Sequence, residues 1–374
     1  SWGSEMCIRD RSFTYTLTAI PAFITVYKAD GTTQVNTNDT LSLTELQGLK
    51  YKTNANANGS GNLTWTVQDS GGTASGGVDT LSQSLSISVS AVNDAPIASG
   101  SASLAAVLED NASPAGDTVA NLFAGNFSDA TDVIAGGSSG NTLAGVVVTT
   151  YYGDLTQGKW QWQATGSSTW TDIDRSGLYD ASALFLASTS KLRFLPAANW
   201  NGTPNGLTTR LVDSSVSLTN GTLVNAFSTG GTTAFSANTV ALGTVVSAVN
   251  DPPVLTSAAP AAISVSEDSA NTTAASLVLS GLAYATSGGN DESGQTFIYT
   301  VTDIPSFIDV FKSDGTTQVY ANTSITLSEL KGLRYKTIPN ANGSGNLTWT
   351  VQDSGGTANG GVDTLSQSLS ITVS

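Results

Sequence analysis

The stretch NLTWTVQD, at residues 346–353, places Leu, Trp and Val at every second position, with Thr and Gln between them. Alternation of apolar and polar residues with a period of two is typical of a β-strand that buries one side and exposes the other. The same eight residues stand at 62–69, and SLSITV at 368–373 alternates in the same way. These segments therefore predict half-buried strands whose tryptophans pack in a core.

The rest of the chain favours strands and turns over helices. Asp314-Gly315 separates two strand-like runs and predicts a tight hairpin, because glycine tolerates positive φ. Only LSLTELQGLKY and ITLSELKGLRY indicate helix, and Gly48 and Gly332 limit each helix to about one turn. Short strands with turn signals at intervals of roughly ten residues indicate sandwiches. We therefore predict an all-β fold.

The chain contains a long internal repeat. Residues 13–90 align without a gap to residues 297–374, with 58 identities in 78 positions. A fainter repeat relates residues 192–213 to residues 333–353. We therefore predict the C-terminal part of a short-type domain at 13–94, a long-type domain at 95–251 and a short-type domain at 252–374. The parent protein is expected to continue in both directions.

Residues 1–12 stand apart from this repeat. They share no identity with the residues opposite them, and they hold the only Cys and the only Met of the chain. The string MCIRDRS resembles translated sequencing-adapter read-through in metagenomic assemblies. We therefore expect this segment to be an artefact, the alternative being a reactive thiol at Cys7.

Charge and composition exclude several functions. The net charge is −15, so phosphate backbones would be repelled and nucleic acid is not an expected partner, whereas cations would be attracted. The acidity could also serve solubility alone. The chain has no His, which removes His-based triads and most zinc or copper sites. It also has no apolar run of membrane-spanning length. Acidic residues recur at equivalent positions of successive domains, as scaffold ligands would, so we expect no enzyme.

Four features carry a family resemblance: an early ED pair, an N-x-N-G turn, a late aspartate, and the closing strings VNDAP at 92–96 and VNDPP at 249–253. Together they resemble bacterial cadherin-like tandem repeats of giant secreted adhesins, including those exported with RTX tails. The resemblance covers residues 13–374. It implies Greek-key, cadherin/Ig-like β-sandwiches arranged end to end, calcium near the joints, and a location outside the cell on a bacterial surface.

The resemblance also implies which residues bind calcium, which prefers six to eight hard oxygen ligands. The candidates are the two linker pairs, the early acidic pairs, the late aspartates and a further acidic position: Asn93, Asp94, Asn250, Asp251, Glu109, Asp110, Glu267, Asp268, Asp69, Asp213, Asp353 and Asp129. Ala91 and Ala248 depart from the longer vertebrate linker motif. In the alternative interpretation, Asn and Asp only cap a strand end by local hydrogen bonds.

These observations predict a stalk or spacer segment of a large adhesin, whose partners are the neighbouring repeats. A second hypothesis is glycan binding by Trp160, Trp162 and Trp170, which cluster in the long domain. Core packing is the competing role for these tryptophans. A third hypothesis is a subunit of a filament or surface layer, in which incomplete sheet edges pair between copies of the chain.

Overall fold

The computed structural model describes residues 11–374, so Cys7 and most of the segment predicted to be an artefact lie outside the described residues. The predicted all-β fold of tandem sandwiches is confirmed. Strands form three successive groups of sheets, within 13–89, 97–247 and 254–373. We call these groups the first, middle and last units.

The first unit has two antiparallel sheets. Its elements are β1 (Phe13–Ala19), β2 (Ile24–Tyr27), β3 (Gln34–Val35), β4 (Thr40–Leu41), α1 (Leu43–Gln47), β5 (Lys50–Thr53), β6 (Gly59–Asp69) and β7 (Thr80–Val89). One sheet has the order β4-β1-β6-β7, and the other has the order β3-β2-β5. Strands β5 and β7 are therefore edge strands.

The middle unit is larger. Its elements are β8 (Ile97–Ala98), β9 (Ala102–Ser103), β10 (Val107–Leu108), β11 (Asp117–Thr118), α2 (Val119–Phe123), β12 (Phe127–Ser128), β13 (Leu143–Tyr151), β14 (Gly158–Gln163), β15 (Thr171–Asp172), β16 (Ala183–Ala187), β17 (Lys191–Pro196), β18 (Leu207–Asp213), β19 (Leu223–Val224), β20 (Val240–Gly243) and β21 (Val246–Ser247). A six-stranded sheet, β19-β16-β13-β18-β20-β9, faces a four-stranded sheet, β11-β17-β14-β15.

The last unit repeats the first and adds strands before it. Its elements are β22 (Val254–Leu255), β23 (Ile263–Val265), β24 (Ala275–Ser276), β25 (Tyr284–Ala285), β26 (Ile298–Asp303), β27 (Ile308–Phe311), β28 (Gln318–Val319), β29 (Thr323–Ile325), α3 (Leu327–Lys331), β30 (Arg334–Thr337), β31 (Gly343–Gln352) and β32 (Thr364–Val373). Its main sheets have the orders β23-β32-β31-β26-β29 and β24-β30-β27-β28. Here the counterparts of β5 and β7 are covered by β24 and β23.

Local sequence accounts for the turns and short helices. Helices α1 and α3 each span five residues, begin with a capping box and end at Gly48 and Gly332, as predicted. The predicted hairpin at Asp314-Gly315 joins β27 to β28, and Gly315 has a φ of +72°. No helix within residues 11–374 is long and apolar enough to cross a membrane.

Each unit has its own apolar core, and the alternating strands supply it. In the last unit, Leu347, Trp349 and Val351 of β31 are all buried, as the period-two pattern predicts. In the middle unit, β14 and β17 bring Trp160 and Phe194 into edge-to-face contact, with ring centroids 5.6 Å apart. Burial of these apolar strands therefore orients the strand ends that form the joints between units.

Candidate metal sites at the joints between units

We call the contact between the middle and last units the second joint. Among the hydrogen bonds that attach the linker after β21 to the last unit, two involve acidic side chains. The Asp251 backbone N–H donates to Glu292 Oε1 at 3.0 Å, and Asn250 Nδ2 donates to Asp353 Oδ1 at 3.1 Å. The linker pair therefore lies against two acidic side chains of the last unit.

The middle unit supplies the other side of the second joint. Glu109 is 2 % exposed, and its carboxylate accepts from the Val249 backbone N–H at 2.5 Å and from Asn201 Nδ2 at 3.1 Å. The same Asn201 amide donates to Asp291 Oδ1 of the last unit at 2.6 Å. One amide thus lies between carboxylates of two different units.

Three carboxyl groups of the second joint hold their protons more tightly than free carboxyl groups do. Burial is the largest cause of the raised pKa of Glu109, Asp251 and Glu292, and nearby carboxylates raise it further. Asp291 contributes to the rise in all three cases. The joint thus concentrates negative charge in a partly buried place, where a bound cation would relieve the repulsion.

The first joint connects the first and middle units and repeats half of this arrangement. Asn93 Nδ2 donates to Asp213 Oδ2 at 3.2 Å, and the Asp94 backbone N–H donates to Asp132 Oδ1 at 3.0 Å. Asp129 lies beside them, and its pKa is raised by burial and then by the charges of Asp132 and Asp213. The linker and middle-unit sides of the first joint therefore match the linker and last-unit sides of the second.

The first-unit side of the first joint is different. Asn58, the counterpart of Asn201, exchanges hydrogen bonds with neutral Ser138, at 2.8 Å to Oγ and 2.7 Å from N. A cavity of about 380 Å³ lies beside it and is lined by Asn56, Val92 and Asp94 among others. In the second joint, the corresponding place is taken by Glu109 and Asp110.

Buried oxygens that lack a hydrogen-bond partner indicate whether the joints could hold a cation. Within residues 11–374, four buried side-chain oxygens have no hydrogen-bond partner, and three of them belong to the joints. They are Asp129 Oδ1 in the first joint and Gln295 Oε1 and Asp353 Oδ2 in the second. A buried acceptor without a donor is costly, and a calcium ion would satisfy it with the oxygen ligands it prefers.

No compact cluster of three or more Asp, Glu, His or Cys side chains is found among the described residues. The carboxylates of each joint interact electrostatically without converging on one point. A calcium ion would therefore also need amide and backbone carbonyl oxygens, which calcium accepts readily. The donor set fits calcium better than zinc, because it offers oxygen rather than nitrogen or sulfur.

The remaining candidates lie at the outer ends of the chain. Asp69 pairs with Arg11, with Nη1 to Oδ2 at 2.8 Å. Glu267 and Asp268 are exposed, and Asp268 Oδ1 accepts from the Asn340 backbone N–H at 3.3 Å. Asp110, in the second joint, accepts in the same way from the Asn199 backbone N–H at 2.7 Å. Asp268 therefore makes with Asn340 the contact that Asp110 makes with Asn199.

Sequence reasoning missed the amide side chains that join the carboxylates. Gln295 Nε2 donates to Asn250 Oδ1 at 2.8 Å, and Asn141 Nδ2 donates to Asn93 Oδ1 at 2.7 Å. Neither residue stands in a motif that the repeat exposes. For Asn201 the signal was available, because the N-x-N-G turn recurs at 56–59, 199–202 and 340–343.

The tryptophan cluster of the middle unit is mostly a packing feature. Trp160 is fully buried, and its Nε1 donates to the Asn205 carbonyl at 2.9 Å, so it does not reach the surface. Trp162 is half-buried against the core. Trp170 is half-buried, with the Arg193 guanidinium 4.1 Å from its ring centroid. Only Trp162 and Trp170 are left as surface candidates.

Comparison with known proteins finds likeness in structure alone. No protein-family model matches the chain, and no curated protein matches it. Mouse protocadherin-24 EC1-3 is similar over 96 % of this chain and 90 % of that chain, at 13 % identity and a TM-score of 0.35. Mouse cadherin-23 EC22-24 is similar over 97 % of this chain and 86 % of that chain, at 16 % identity and a TM-score of 0.32. The CupB6 tip adhesin of Pseudomonas aeruginosa is similar over 76 % of this chain and 99 % of that chain, at 10 % identity and a TM-score of 0.22.

Proposed function

We propose that the chain is a stalk or spacer segment of a large bacterial cell-surface adhesin, and that calcium bound at its joints stiffens the row of units. The supporting observation is the second joint, where the Asn201 amide bridges buried Glu109 of the middle unit and Asp291 of the last unit, and the Asp251 backbone N–H of the linker donates to Glu292. A role in spacing needs such contacts between units and requires no catalytic group.

Stiffening of the row depends on how firmly two neighbouring units are held together. Without a cation, ionised carboxylates from both units repel one another and oppose close contact. Carboxylates of both units would hold a calcium ion there, whose charge would offset that repulsion, and the unpaired oxygens of Asp353 and Gln295 are the further ligands that the joint offers. Calcium would therefore favour one relative orientation of the units, and the row would become longer and stiffer.

Calorimetric titration of the 374-residue chain with calcium tests this proposal. We expect binding with Kd on the order of 0.1–1 mM, as in extracellular modules. The double variant Glu109→Gln/Asp251→Asn should lose this calcium binding, because both substitutions keep the shape of the side chain and remove the charge of a ligand. The matched control is Asp303→Asn, at an exposed carboxylate on the far end of β26. Equal titrations for both variants would refute a calcium site at the second joint.

Glycan binding is a second candidate, favoured by the two half-buried tryptophans of the middle unit. Trp162 and Trp170 would offer ring faces for stacking on sugars. Trp162→Ala and Trp170→Ala should weaken retention on a glycan array if this activity exists, whereas a pure spacer has no ligand to lose. Calcium titration and glycan retention separate the two functions, because they depend on different parts of the middle unit.

A further inference from the structure

The four-stranded sheet of the middle unit has a core side and an outer side. Trp160 and Trp162 of β14 lie opposite Phe194 and Leu192 of β17 on the core side. Because successive residues of a strand point to opposite sides, the residues between them lie on the outer side, which we call the outer face. It is formed by Lys159, Gln161 and Gln163 of β14, Lys191, Arg193 and Leu195 of β17, Asp172 of β15 and Thr118 of β11.

The outer face carries an excess of positive charge, although the chain has a net charge of −15. Lys159, Lys191 and Arg193 stand against one carboxylate, that of Asp172, whose Oδ2 is 2.8 Å from Lys159 Nζ. Lys191 is exposed, and no carboxylate of residues 11–374 lies within ion-pair distance of it. Exposed charges farther away than about 8 Å are largely screened at physiological ionic strength, so a small ligand meets a cation here.

Trp170, which directly precedes β15, is held on this face by a buried cation. Among residues 11–374 it is the one tryptophan that belongs to none of the apolar cores. The Arg193 guanidinium lies 4.1 Å from its ring centroid. Arg193 is 7 % exposed and is fixed by bonds from Nε to Gln161 Oε1 at 2.8 Å and from Nη1 to the Pro114 carbonyl at 3.1 Å. The indole ring therefore has a rigid support that is not part of a core.

The strand register places Trp170 in one row with polar groups. Gln163 lies opposite Lys191, and Lys191 lies opposite Thr118. The pairing of Trp162 with Thr171 puts Trp170 beside Gln163. Neighbouring strands are about 4.8 Å apart, so the backbones at Trp170 and Lys191 are roughly 10 Å apart, with Gln163 between them. The row offers a sugar a stacking surface, hydrogen bonds to its hydroxyl groups and a partner for a carboxylate.

We propose that the outer face binds a glycan through a sugar that carries a single carboxylate. The sugar ring stacks on Trp170, and its carboxylate pairs with the Lys191 ammonium group. A nucleic acid strand fits less well, because it carries a phosphate at every nucleotide, whereas Lys159 is paired with Asp172 and Arg193 is buried. This inference rests on the glycan-binding candidate above, for which it names the class of sugar and adds Lys191. It does not depend on calcium at the joints.

NMR of the full chain with isotope-labelled tryptophan tests the inference, since each indole N–H gives its own signal. Spectra are recorded in EDTA, so that failure of the calcium proposal does not affect them. The probes are two trisaccharides that differ only in ending in glucuronic acid or in glucose. We expect both to shift the Trp170 signal, assigned with Trp170→Phe, and the acidic sugar to bind about 3–5-fold more tightly. The signals of buried Trp160 and Trp349 are internal controls.

Lysine variants test the source of that preference. Lys191→Gln should bind the two trisaccharides equally, because it removes the cation and leaves the indole ring in place. Lys191 is exposed, so this substitution does not disturb the core. The matched control is Lys50→Gln, at an exposed lysine on β5 of the first unit, which should keep the 3–5-fold preference. A preference that persists in Lys191→Gln would overturn the role of Lys191.

Removal of the ring has the larger effect. Trp170→Ala should weaken binding of both trisaccharides at least ~10-fold, measured by saturation-transfer NMR of the sugar protons. The proposal is overturned if neither trisaccharide shifts the Trp170 signal, or if single-stranded oligothymidine shifts it at lower concentration than the acidic trisaccharide does. Equal affinities of the unmodified chain for the two trisaccharides would overturn the carboxylate assignment alone and leave the glycan-binding candidate standing.

Discussion

The two joints begin from the same linker motif but differ in what faces it. In both, an Asn amide donates to a late aspartate and a backbone N–H donates to an acidic side chain. Among residues 11–374, an acidic pair on the preceding unit, buried Glu109 and exposed Asp110, is present in the second joint alone, and a cavity lies at the corresponding place in the first joint. A linker motif therefore specifies half of a joint, and the start of the preceding unit specifies the other half.

This difference predicts that calcium stabilises the two joints unequally. Adding 10 mM calcium to the chelated chain should stabilise the middle and last units by about 1.4–2.7 kcal/mol, the linkage expected for Kd near 0.1–1 mM. Differential scanning calorimetry should show a rise in Tm of about 5–10 °C for those units. The first unit should shift less. Equal shifts for all three units would contradict the comparison.

Matched linker substitutions sharpen the comparison. Asp251→Ala should remove about 1–2 kcal/mol of the calcium-dependent stabilisation, whereas Asp94→Ala should remove less than about 0.5 kcal/mol. In EDTA, Asp251→Ala should be neutral or stabilising, because the Asp251 carboxyl has a pKa raised by burial and by nearby charges. Thermal unfolding with and without calcium measures both effects.

Asp303→Ala is the control for both linker substitutions, since it removes a carboxylate far from the joints. If Asp94→Ala were to cost as much calcium-dependent stability as Asp251→Ala, the Glu109 side of the second joint would be irrelevant to binding. The difference between the joints would then have no functional meaning.

The pH dependence of the free energy of unfolding should have opposite signs in EDTA and in calcium. The folded-state pKa of Glu109, Asp251 and Glu292 is raised, so the folded chain binds protons more tightly than the unfolded chain. In EDTA, the free energy of unfolding contributed by these groups therefore rises as the pH falls from 7 to about 5. In millimolar calcium the free energy of unfolding should instead decrease as the pH falls, because protons compete with calcium for the carboxylates.

Urea denaturation at several pH values measures this reversal. Glu109→Gln together with Glu292→Gln should reduce the reversal. Asp129→Asn should also reduce the acid-dependent rise in EDTA, because its pKa is raised too, but it should change the pH dependence in calcium little. Measurements stay above about pH 5, because partly exposed carboxylates with lowered pKa, such as Glu45 and Glu329 at about 2, take up protons at more acidic pH. A stability that falls with acid even in EDTA would show that repulsion among the joint carboxylates does not control the pH dependence.

The last expected effect concerns the bridging amides. Asn201→Ala removes donors to Glu109 and Asp291, so it should cost about 1–2 kcal/mol in EDTA and less in calcium. Asn58→Ala removes bonds to Ser138 only, and its cost should not depend on calcium. Chemical denaturation in both buffers distinguishes the two variants. If calcium changes the free-energy cost of Asn201→Ala and Asn58→Ala equally, the carboxylates do not interact through Asn201.

The fold could be predicted from sequence because its signals are local. Alternation in residues 346–353 specified a strand with buried Leu347, Trp349 and Val351, and glycine fixed the ends of α1 and α3. The contact that buries Tyr335 could not be predicted, because Ala275 pairs with it from 60 residues earlier in the chain and no local pattern reports that pairing.

The joints were less predictable for the same reason. The linker pairs could be found because they recur in sequence, but the Glu109 contact to Val249 joins residues 140 positions apart. Gln295 and Asn141 have equivalent roles with different side chains, so the repeat conceals them. Trp160 shows the converse, since its cluster with Trp162 suggested a surface site and its burial is set by packing against Phe194.

Small-angle X-ray scattering of the full chain, in EDTA and then in 10 mM calcium, tests calcium stiffening most directly. We expect a longer maximum dimension and a narrower distribution of shapes in calcium, lost in Asp251→Ala and retained in Asp303→Ala. Identical scattering in both buffers would contradict calcium stiffening, and the Asn-Asp linkers would then only cap the ends of strands.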